Sequence, residues 1–390
     1  MQEYNYLIIG GGLAGDAAVR GIRELDSEGS IGMLSLEPYP PYTRPHLSKN
    51  LWKGSPVEKI WRNTQSLGVD LHLNSQAVRF DPKNKIVGME DGVEFAFTKL
   101  LLATGGTPIR LPFGEQNILY YRDFYDYQRL RLLSESGDQF LVIGGGFIGS
   151  ELAAALNMNG KKVTMLFPEG AIGAAVYPDE LAQFLNEFYR QKGVEVVTGD
   201  QAAGLEKTGT QISVHTKKGR VFKMDGAVAG IGIRPNVELA QQAGLQVDNG
   251  IVVNEQLMTS AADVYAAGDV ANFYHAALLQ RMRVEHEDNA VTMGKLAGRN
   301  MAGAGEVYTH TPMFYSDLFE LGYEAVGELS SKLETFTDWK ERFKKGVIYY
   351  LKDGRVRGVL LWNVWGALPK ARELLTAPMP FRIEDLKGKI

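Results

Sequence analysis

The sequence has 390 residues, enough for a sizeable hydrophobic core and for two or three domains. Its formal net charge of −4 gives no general electrostatic attraction to nucleic acid or to an anionic membrane, so we expect no nucleic-acid partner. It contains no cysteine, which excludes a redox-active disulfide, a thiolate nucleophile and cysteine-ligated metal centres, and we expect no metal site.

The first predicted strand begins within a few residues of Met1. We therefore expect no signal or transit peptide, and a cytoplasmic location is the simplest interpretation. No apolar run approaches the roughly 20 residues that a membrane-spanning helix needs, so no transmembrane segment is expected.

That first strand leads directly into a glycine-rich loop, Gly10-Gly11-Gly12-Leu13-Ala14-Gly15. Gly10 permits the tight turn, Gly12 lets backbone N–H groups approach a pyrophosphate, and Gly15 lets the next helix pack closely on the strand. Glu37 follows Gly15 by 22 residues, where an acidic side chain would hold the ribose hydroxyls. The pattern predicts a dinucleotide site, and the alternative is a tight structural turn.

Four prolines follow between Pro38 and Pro45 and exclude a regular helix. One interpretation is a rigid loop that aims Arg44 and Lys49 at the bound dinucleotide. The other is a surface loop with two solvated cations. The neighbouring glycine loop favours the first interpretation.

Residues 77–98 alternate between apolar and polar with turn signals, which predicts an antiparallel meander. A buried strand then ends in Ala103-Thr104-Gly105. Pro108 and Pro112 break the chain, so we place a domain boundary near residue 112.

The next segment repeats the plan of the first. Gly144-Gly145-Gly146-Phe147-Ile148-Gly149 restates the opening loop, and Glu169 follows Gly149 by 20 residues. A second meander runs through residues 212–221, and a return strand carries Gly230 and Gly232. Two loops with matching distal acids predict two bound dinucleotides.

The first domain then resumes with a strand over residues 262–267 that ends in Gly268-Asp269, followed by a helix over residues 289–301. Asp269 either accepts hydrogen bonds from the ribityl chain of a flavin or caps the following segment. From about residue 307 we predict a third domain with strands at 323–329 and 347–361, a turn at 353–354 and a helix at 367–375. We expect Trp362 and Trp365 to be core or interface residues.

The whole pattern resembles the two-dinucleotide flavoprotein reductases, the superfamily named after pyridine nucleotide–disulfide oxidoreductases, over nearly all of the chain. Within it, the sequence is most similar to apoptosis-inducing factor and related NADH oxidoreductases, and next to flavin-dependent ferredoxin reductases. The segments that carry the resemblance are Tyr42-Thr43-Arg44-Pro45-His46-Leu47-Ser48-Lys49, Leu166-Phe167-Pro168-Glu169, Arg283-Val284-Glu285-His286-Glu287-Asp288, Met313-Phe314-Tyr315-Ser316-Asp317-Leu318 and Tyr323-Glu324-Ala325-Val326-Gly327.

The resemblance implies an α/β fold with two Rossmann-like dinucleotide-binding domains, like those of glutathione reductase, and an α+β C-terminal domain. It implies a discontinuous FAD-binding domain over residues 1–111 and 236–306, an NADH-binding domain over residues 112–235 and a C-terminal domain over residues 307–390. The implied cofactors are FAD and NADH.

The resemblance also implies the site residues. Those expected to contact FAD are Gly10, Gly12, Leu13, Ala14, Gly15, Glu37, Arg44, Lys49, Ala77, Val78, Ala103, Thr104, Gly105, Gly268, Asp269, Glu285 and His286. Those expected to contact NADH are Gly144, Gly146, Phe147, Ile148, Gly149, Glu151, Glu169, Gly230 and Gly232. The expected catalytic residues are Lys49, Glu151, Glu285, His286 and Tyr315.

Individual roles are implied in the same way. Glu169 would bind both ribose hydroxyls and repel an extra phosphate, so NADH would be preferred over NADPH. Phe147 would lie where the nicotinamide stacks. Lys49 would lie near the N5/O4 edge of the flavin and pair with Glu151, and its charge would stabilise the ring as it is reduced.

The sequence departs from the family pattern at three positions. His46 replaces a second proline, Tyr315 stands where the apoptosis-inducing-factor branch has tryptophan, and Ala175 stands where a cofactor-contacting lysine is expected. The long C-terminal insertion of the animal factor has no counterpart. A DNA-binding or cell-death role therefore has little support.

The resemblance implies hydride transfer from NADH to the flavin and leaves the electron acceptor open. One hypothesis is an NADH dehydrogenase or oxidase that reduces a quinone, a dye-like acceptor or oxygen. A second is a reductase for a small electron-transfer protein, a ferredoxin or rubredoxin. A third is a redox-sensing interaction protein whose NADH-reduced form changes its partner or oligomeric state, and a homodimer is compatible with all three.

Overall fold

A computed structural model describes residues 1–114, 116–378 and 380–390 of the protein. Its strands, in chain order, are β1 (Gln2–Ile9), β2 (Ile31–Leu34), β3 (Val69–His72), β4 (Ala77–Asp81), β5 (Ile86–Met89), β6 (Glu94–Leu102), β7 (Gly106–Pro108), β8 (Ile118–Tyr120), β9 (Gln139–Ile143), β10 (Lys162–Phe167), β11 (Glu195–Thr198), β12 (Ala202–Thr208), β13 (Gln211–Thr216), β14 (Val221–Met224), β15 (Gly226–Ala229), β16 (Ile233–Pro235), β17 (Ile251–Val252), β18 (Val264–Ala266), β19 (Ala271–His275), β20 (Gln280–Met282), β21 (Met313–Leu318), β22 (Leu321–Gly327), β23 (Glu334–Glu341), β24 (Lys345–Lys352) and β25 (Arg355–Trp362).

The α-helices are α1 (Leu13–Arg23), α2 (Phe124–Ser136), α3 (Phe147–Met158), α4 (Asp179–Gln191), α5 (Glu238–Gln242), α6 (Glu287–Met301), α7 (Leu368–Thr376) and α8 (Ile383–Leu386). Short 3₁₀ helices lie at Arg44–Leu47, Val57–Ile60, Thr64–Leu67 and Gly268–Val270. Among the described helices, none combines the length and the apolar character that crossing a membrane requires.

The chain packs as two compact units. The first contains Met1–Arg44, Val57–Thr107 and Arg234–Met313, and the second contains Pro45–Pro56, Pro108–Ile233 and Phe314–Ile390. The three-domain division and its boundaries near residues 112, 236 and 307 stay predictions. One feature of the units was not expected from the sequence: the segment Pro45–Pro56, which carries Lys49, packs with the second unit.

The first unit is built on a sheet with the strand order β3-β2-β1-β6-β5-β4, with β18 paired to β6. Strands β1, β2, β3, β6 and β18 are parallel, whereas β4 and β5 pair antiparallel. The predicted meander is confirmed, but its last arm and the following buried strand form one continuous β6. Leu7 and Ile8 of β1 are fully buried because the central strand of a parallel sheet is covered on both faces.

Helices α1 and α6 of this unit approach each other at backbone contact distance. A Cβ atom added at Gly294 would lie 2.2 Å from the carbonyl oxygen of Ala14, and one added at Gly298 would lie 2.0 Å from that of Ala18. Any larger residue at either position would therefore push α6 away. This packing fixes α1, and with it the first glycine loop, on the body of the unit.

The second unit contains the repeat, a parallel sheet with the order β11-β10-β9-β15-β8. Its meander has three strands, β12, β13 and β14, and the sequence predicted two of them. The missing strand, β12, lacks an apolar alternation because most of its residues are exposed, so no period-2 signal marks it.

The C-terminal part of the second unit is a sheet with the order β21-β22-β25-β24-β23. The predicted turn at 353–354 joins β24 and β25, and the predicted helix is α7. The sequence did not predict β21 and β23. Trp362 is fully buried, as expected for a core residue, whereas the side chain of Trp365 is 57% exposed.

These elements confirm the predicted fold class, an α/β chain with two Rossmann-like regions and an α+β C-terminal part.

Candidate functional site

The first glycine loop has the geometry of a phosphate cradle. Gly10 has a φ of +128°, and a Cβ atom there would lie 2.1 Å from the carbonyl oxygen of Ala103. A Cβ at Gly15 would lie 2.2 Å from the carbonyl oxygen of Gly10. Gly12 is the N-cap of α1 and has no side chain to cap the helix, so the first-turn N–H groups are available to an anion. The loop therefore fits the pyrophosphate of a dinucleotide.

Glu37 follows β2, and its carboxylate contacts two residues of the proline-rich segment 38–45. Its carboxylate accepts a hydrogen bond of 2.5 Å from the Tyr42 hydroxyl and forms an ion pair with Arg44. Burial disfavours the charged form of Arg44, but interactions with Tyr42 and Glu37 outweigh it and raise the pKa of Arg44 above its ordinary value. The structure thus brings together two of the predicted FAD residues, Glu37 and Arg44, through a contact that the sequence did not indicate.

Asp269 and Glu285 are joined by an arginine that we had not predicted as a site residue. Arg283 donates a hydrogen bond of 3.0 Å to the carbonyl oxygen of Asp269 and forms an ion pair of 2.6 Å with Glu285. Gly268 lies against the first loop, since a Cβ there would be 3.0 Å from the Cβ of Ala14.

Other predicted FAD residues lie in the same unit. Thr104 donates a hydrogen bond of 2.8 Å to the carbonyl oxygen of Asn236, and the N–H of Asn236 donates to Gly105 at 3.0 Å. His286 is the N-cap of α6. Ala77 and Val78 begin β4.

A buried carboxylate anchors the start of α1. Asp16 is fully buried and accepts hydrogen bonds from Arg20, Arg62 and Thr64. Burial tends to raise the pKa of Asp16, but the hydrogen bonds from Arg20, Thr64 and Arg62 outweigh it and lower the pKa below its ordinary value. The sequence signal for this anchor was an acidic residue directly after Gly15, which we did not use.

The second glycine loop repeats the geometry of the first. Gly144 has a φ of +115°, and a Cβ there would lie 2.3 Å from the carbonyl oxygen of Gly230. A Cβ at Gly149 would lie 2.1 Å from the carbonyl oxygen of Gly144. Gly146 caps α3 without a side chain and has open space around it. The repeated geometry fits a second dinucleotide.

Further predicted NADH residues surround this loop. A Cβ at Gly230 would lie 3.1 Å from the Cβ of Ile148, and Gly232 has a φ of +100°. Glu169 is exposed two residues after β10 ends. The ring of Phe147 packs against that of Phe314, with ring centroids 5.7 Å apart.

The carboxylate of Glu151, on α3, accepts hydrogen bonds from three side chains of the second unit. The side chain of Glu151 is only 3% exposed. It accepts hydrogen bonds from the Ser48 hydroxyl, the Lys49 ammonium and the Ser316 hydroxyl, each at 2.6 Å. The Lys49 ammonium also lies 5.1 Å from the ring centroid of Tyr315. The predicted Lys49–Glu151 pair is therefore present in the structure, whereas its two serine partners were missed although both lie in motifs that we had singled out.

The segment that carries Lys49 is held in place by Trp52. The indole of Trp52 donates a hydrogen bond of 2.8 Å to the carbonyl oxygen of Leu47, which also accepts one of 2.5 Å from the Tyr121 hydroxyl. The Asn159 amide donates a hydrogen bond of 3.0 Å to the carbonyl oxygen of Trp52. These contacts explain why this segment packs with the second unit.

An aromatic cluster lies close to Glu151. The Tyr177 hydroxyl donates a hydrogen bond of 3.1 Å to the Tyr323 hydroxyl, and the Tyr323 ring stacks on Trp362 with centroids 5.9 Å apart. Burial, and to a smaller extent the charge of Glu151, raises the pKa of Tyr177 well above its ordinary value. The Tyr177 hydroxyl therefore stays protonated and adds no second negative charge near the Glu151 carboxylate. Over the described residues, no group of three or more potential ligands could hold a metal ion.

Comparison with known proteins agrees with this geometry. The family model described as pyridine nucleotide-disulphide oxidoreductase matches residues 4–294, and the C-terminal model of mitochondrion-associated apoptosis-inducing factor matches residues 297–341 and 337–377. The chain belongs to the pyridine nucleotide-disulphide oxidoreductase family.

Two curated relatives are similar over most of their length. The chain is 34% identical to apoptosis-inducing factor 1 of Dictyostelium discoideum, covering 99% of this chain and 80% of the relative. It is also 34% identical to monodehydroascorbate reductase 3 of Arabidopsis thaliana, covering 92% of this chain and 89% of the relative.

Two solved structures share the fold. The putidaredoxin reductase in a covalent complex with putidaredoxin has a TM-score of 0.91 and 29% identity, covering 98% of this chain and 95% of that chain. A ferredoxin reductase from Rhodopseudomonas palustris has a TM-score of 0.90 and 26% identity, with coverages of 97% and 96%. The family and these relatives identify the chain as an FAD-dependent NADH oxidoreductase.

The Glu151 cluster generates a stability prediction. Lys49→Met would leave a buried carboxylate without its cation, and breaking a buried ion pair costs about 3–5 kcal/mol. We expect this variant to unfold at a clearly lower urea concentration than the unaltered protein. Adding Glu151→Gln should recover part of the loss, because the uncompensated charge is then removed.

Lys53→Met is the matched control. Lys53 forms an ion pair of 2.8 Å with Asp317, but its side chain is 42% exposed, so its loss should cost less than about 1 kcal/mol. If Lys49→Met shifts the urea midpoint no further than Lys53→Met does, the buried pair does not stabilise the unit as described.

Proposed function

We propose that the protein transfers a hydride from NADH, bound at the second glycine loop, to FAD, bound at the first, and passes the electrons to a small planar acceptor such as a quinone. The flavin, when bound, supplies the hydride-accepting and electron-donating chemistry. The observation that carries the proposal is the Lys49–Glu151 cluster. The Lys49 ammonium is held by a buried carboxylate that two hydroxyls fix in turn, so it is a preorganised positive charge.

The residues of the second loop would bind and orient NADH. The N–H groups at the start of α3 would bind its pyrophosphate, since Gly146 leaves them open. Glu169 would accept hydrogen bonds from the two ribose hydroxyls and repel a 2′-phosphate. Phe147 would move from its contact with Phe314 to admit the nicotinamide.

Lys49 would stabilise the negative charge that develops on the reduced cofactor. Its position is fixed through Glu151, so little reorganisation is needed as that charge appears. Glu285 and His286 are proposed to complete the flavin site, with Arg283 orienting Glu285. Tyr315 would shield the Lys49 ammonium from water through the contact between the ring and the cation.

Two observations support a small planar acceptor. Tyr315 is 36% exposed and Trp365 is 57% exposed, so both present open aromatic surface. The six-membered ring of Trp365 lies over Gly322, on the strand that follows the Tyr315 strand, because a Cβ at Gly322 would be 3.1 Å from it. The absence of cysteine excludes the dithiol chemistry of a disulfide reductase.

A ferredoxin reductase is the second candidate. It is supported by the solved reductases above and by a relative named as the ferredoxin reductase subunit of 5,5′-dehydrodivanillate O-demethylase from Sphingobium, which is 31% identical and covers 91% of this chain. In that case the acceptor would be a small iron–sulfur protein.

Steady-state turnover of NADH with a set of acceptors separates the two candidates. We expect a water-soluble quinone to be reduced with a higher kcat/KM than a [2Fe–2S] ferredoxin, with rubredoxin and oxygen as further comparisons. A ferredoxin that is reduced faster than every small acceptor would overturn the quinone proposal in favour of the second candidate. If NADH is not oxidised with any of them, the proposed function is wrong.

Glu169→Ala should narrow the preference for NADH over NADPH. The change removes two charge-assisted hydrogen bonds to the ribose and also the repulsion of a 2′-phosphate, so the KM for NADH should rise about tenfold with a smaller effect on NADPH. Glu195→Ala, at the opposite end of the same sheet, is the control and should leave both values unchanged. A better reaction with NADPH in the unaltered protein would contradict the assignment of Glu169.

A further inference from the structure

The stretch that forms the second glycine loop and its distal carboxylate carries little positive charge. Between Gly144 and Tyr177 the basic residues are Lys161 and Lys162. Lys162 is the first residue of β10 and Lys161 precedes it, whereas Glu169 follows the end of β10, so both lysines lie at the opposite edge of the sheet. This stretch therefore provides no cation of its own beside Glu169 for the two phosphates of a dinucleotide.

The loop that follows Glu169, residues 170–177, lies against the glycine loop. The N–H of Gly173 donates a hydrogen bond of 2.8 Å to the carbonyl oxygen of Gly145. The Asn186 side chain of α4 anchors this loop through two hydrogen bonds of 3.0 Å. Its amide N–H donates to the carbonyl oxygen of Gly170, and its amide oxygen accepts from the N–H of Ile172. Ala175 lies at the exposed part of this loop, and its methyl group contributes no charge.

A segment from the C-terminal sheet meets the loop at this point. The N–H of Ser331 donates a hydrogen bond of 3.0 Å to the carbonyl oxygen of Ala175. Ser331 belongs to a turn between β22 and β23 that is closed by hydrogen bonds from Leu333 N–H to the Ser330 carbonyl oxygen at 3.0 Å and from Lys332 N–H to the Ser330 hydroxyl at 3.3 Å. The turn fixes the backbone of Lys332 next to the residue that contacts Ala175.

Lys332 is available for a ligand. Its side chain is exposed, and within residues 1–114, 116–378 and 380–390 its ammonium forms no hydrogen bond or ion pair. The carboxylate of Glu328 forms its ion pair with Arg357, at 2.8 Å. A lysine on a long flexible stem can follow a phosphate over a range of positions.

We propose that Lys332 supplies the cation that the NADH-binding loop lacks, by forming an ion pair with a phosphate of the bound dinucleotide. The inference rests on the proposed function, because it requires that NADH binds at the second glycine loop. Lys332 is then a cofactor-binding residue contributed by the turn between β22 and β23. Since this contact is made in the same way before and during hydride transfer, it would affect affinity and not the rate of the bound complex.

Calorimetric titration of the FAD-loaded, oxidised protein with NAD⁺ tests the proposal. We expect Lys332→Met to raise the Kd by about 3- to 10-fold, the size of a partly exposed charge pair, and to lower the dependence of Kd on salt concentration. Lys332→Arg should bind nearly as well as the unaltered protein. The kcat at saturating NADH should be the same in all three.

Two further variants sharpen the test. Lys352→Met removes another exposed lysine of the same sheet and should leave the Kd unchanged. Ala175→Lys, added to Lys332→Met, places a cation on the loop itself and should restore most of the lost affinity.

If Lys332→Met binds NAD⁺ as tightly as Lys352→Met does, the proposal is overturned while the proposed function stands. If the unaltered protein binds no NAD⁺ and its flavin is not reduced by NADH, the proposed function itself fails. A loss of affinity in Lys332→Met that Ala175→Lys leaves unrepaired would contradict the placement of Lys332 beside this loop.

Discussion

The carboxylate of Glu151 is the interaction on which the arrangement of the second unit depends. Burying a carboxylate destabilises the folded state unless its oxygens are paired with a cation or with hydrogen-bond donors. Here one ammonium and two hydroxyls donate to them. The carboxylate belongs to α3, and its partners come from the segment Pro45–Pro56 and from β21, so the three elements are far apart in sequence. Each of these elements must therefore dock in register before the charge is satisfied, and this requirement links the position of Lys49 to the helix that begins at the second glycine loop.

The two glycine loops have the same shape because the same steric contacts of the backbone constrain both. In both, the first glycine has a positive φ and approaches a neighbouring carbonyl oxygen so closely that a Cβ would collide with it. In both, the last glycine packs against the first, and the helix begins without a capping side chain. The shape is determined by the backbone, so the same loop geometry fits a dinucleotide in each unit. What distinguishes the two sites is the polar residues that surround each loop.

These backbone constraints are why much of the fold was predictable. The loops, the distal acids Glu37 and Glu169, and the parallel strands before them leave strong local patterns in the sequence. Strands β12, β21 and β23 leave weak ones, because their residues are polar or of mixed exposure and alternation is lost.

The partners of the site residues were harder to predict. Resemblance to a family indicated the pair of Lys49 with Glu151, but nothing local in the sequence shows that Ser48 and Ser316 share the same carboxylate or that Arg283 joins Asp269 to Glu285. The anchoring of the Lys49 segment by Trp52 is likewise a long-range contact. Such contacts depend on tertiary packing, which periodicity and spacing do not report.

The most direct test of the account is the rate at which NADH reduces the flavin in Lys49→Met, measured by rapid mixing without oxygen and compared with Lys53→Met and with the unaltered protein. The account predicts that the visible flavin band is bleached about 10²-fold more slowly in Lys49→Met, because a preorganised charge has been removed, and at an unchanged rate in Lys53→Met. Reduction of Lys49→Met at the rate of the unaltered protein, with only its stability lowered, would show that the pair is a structural tie and would contradict the account.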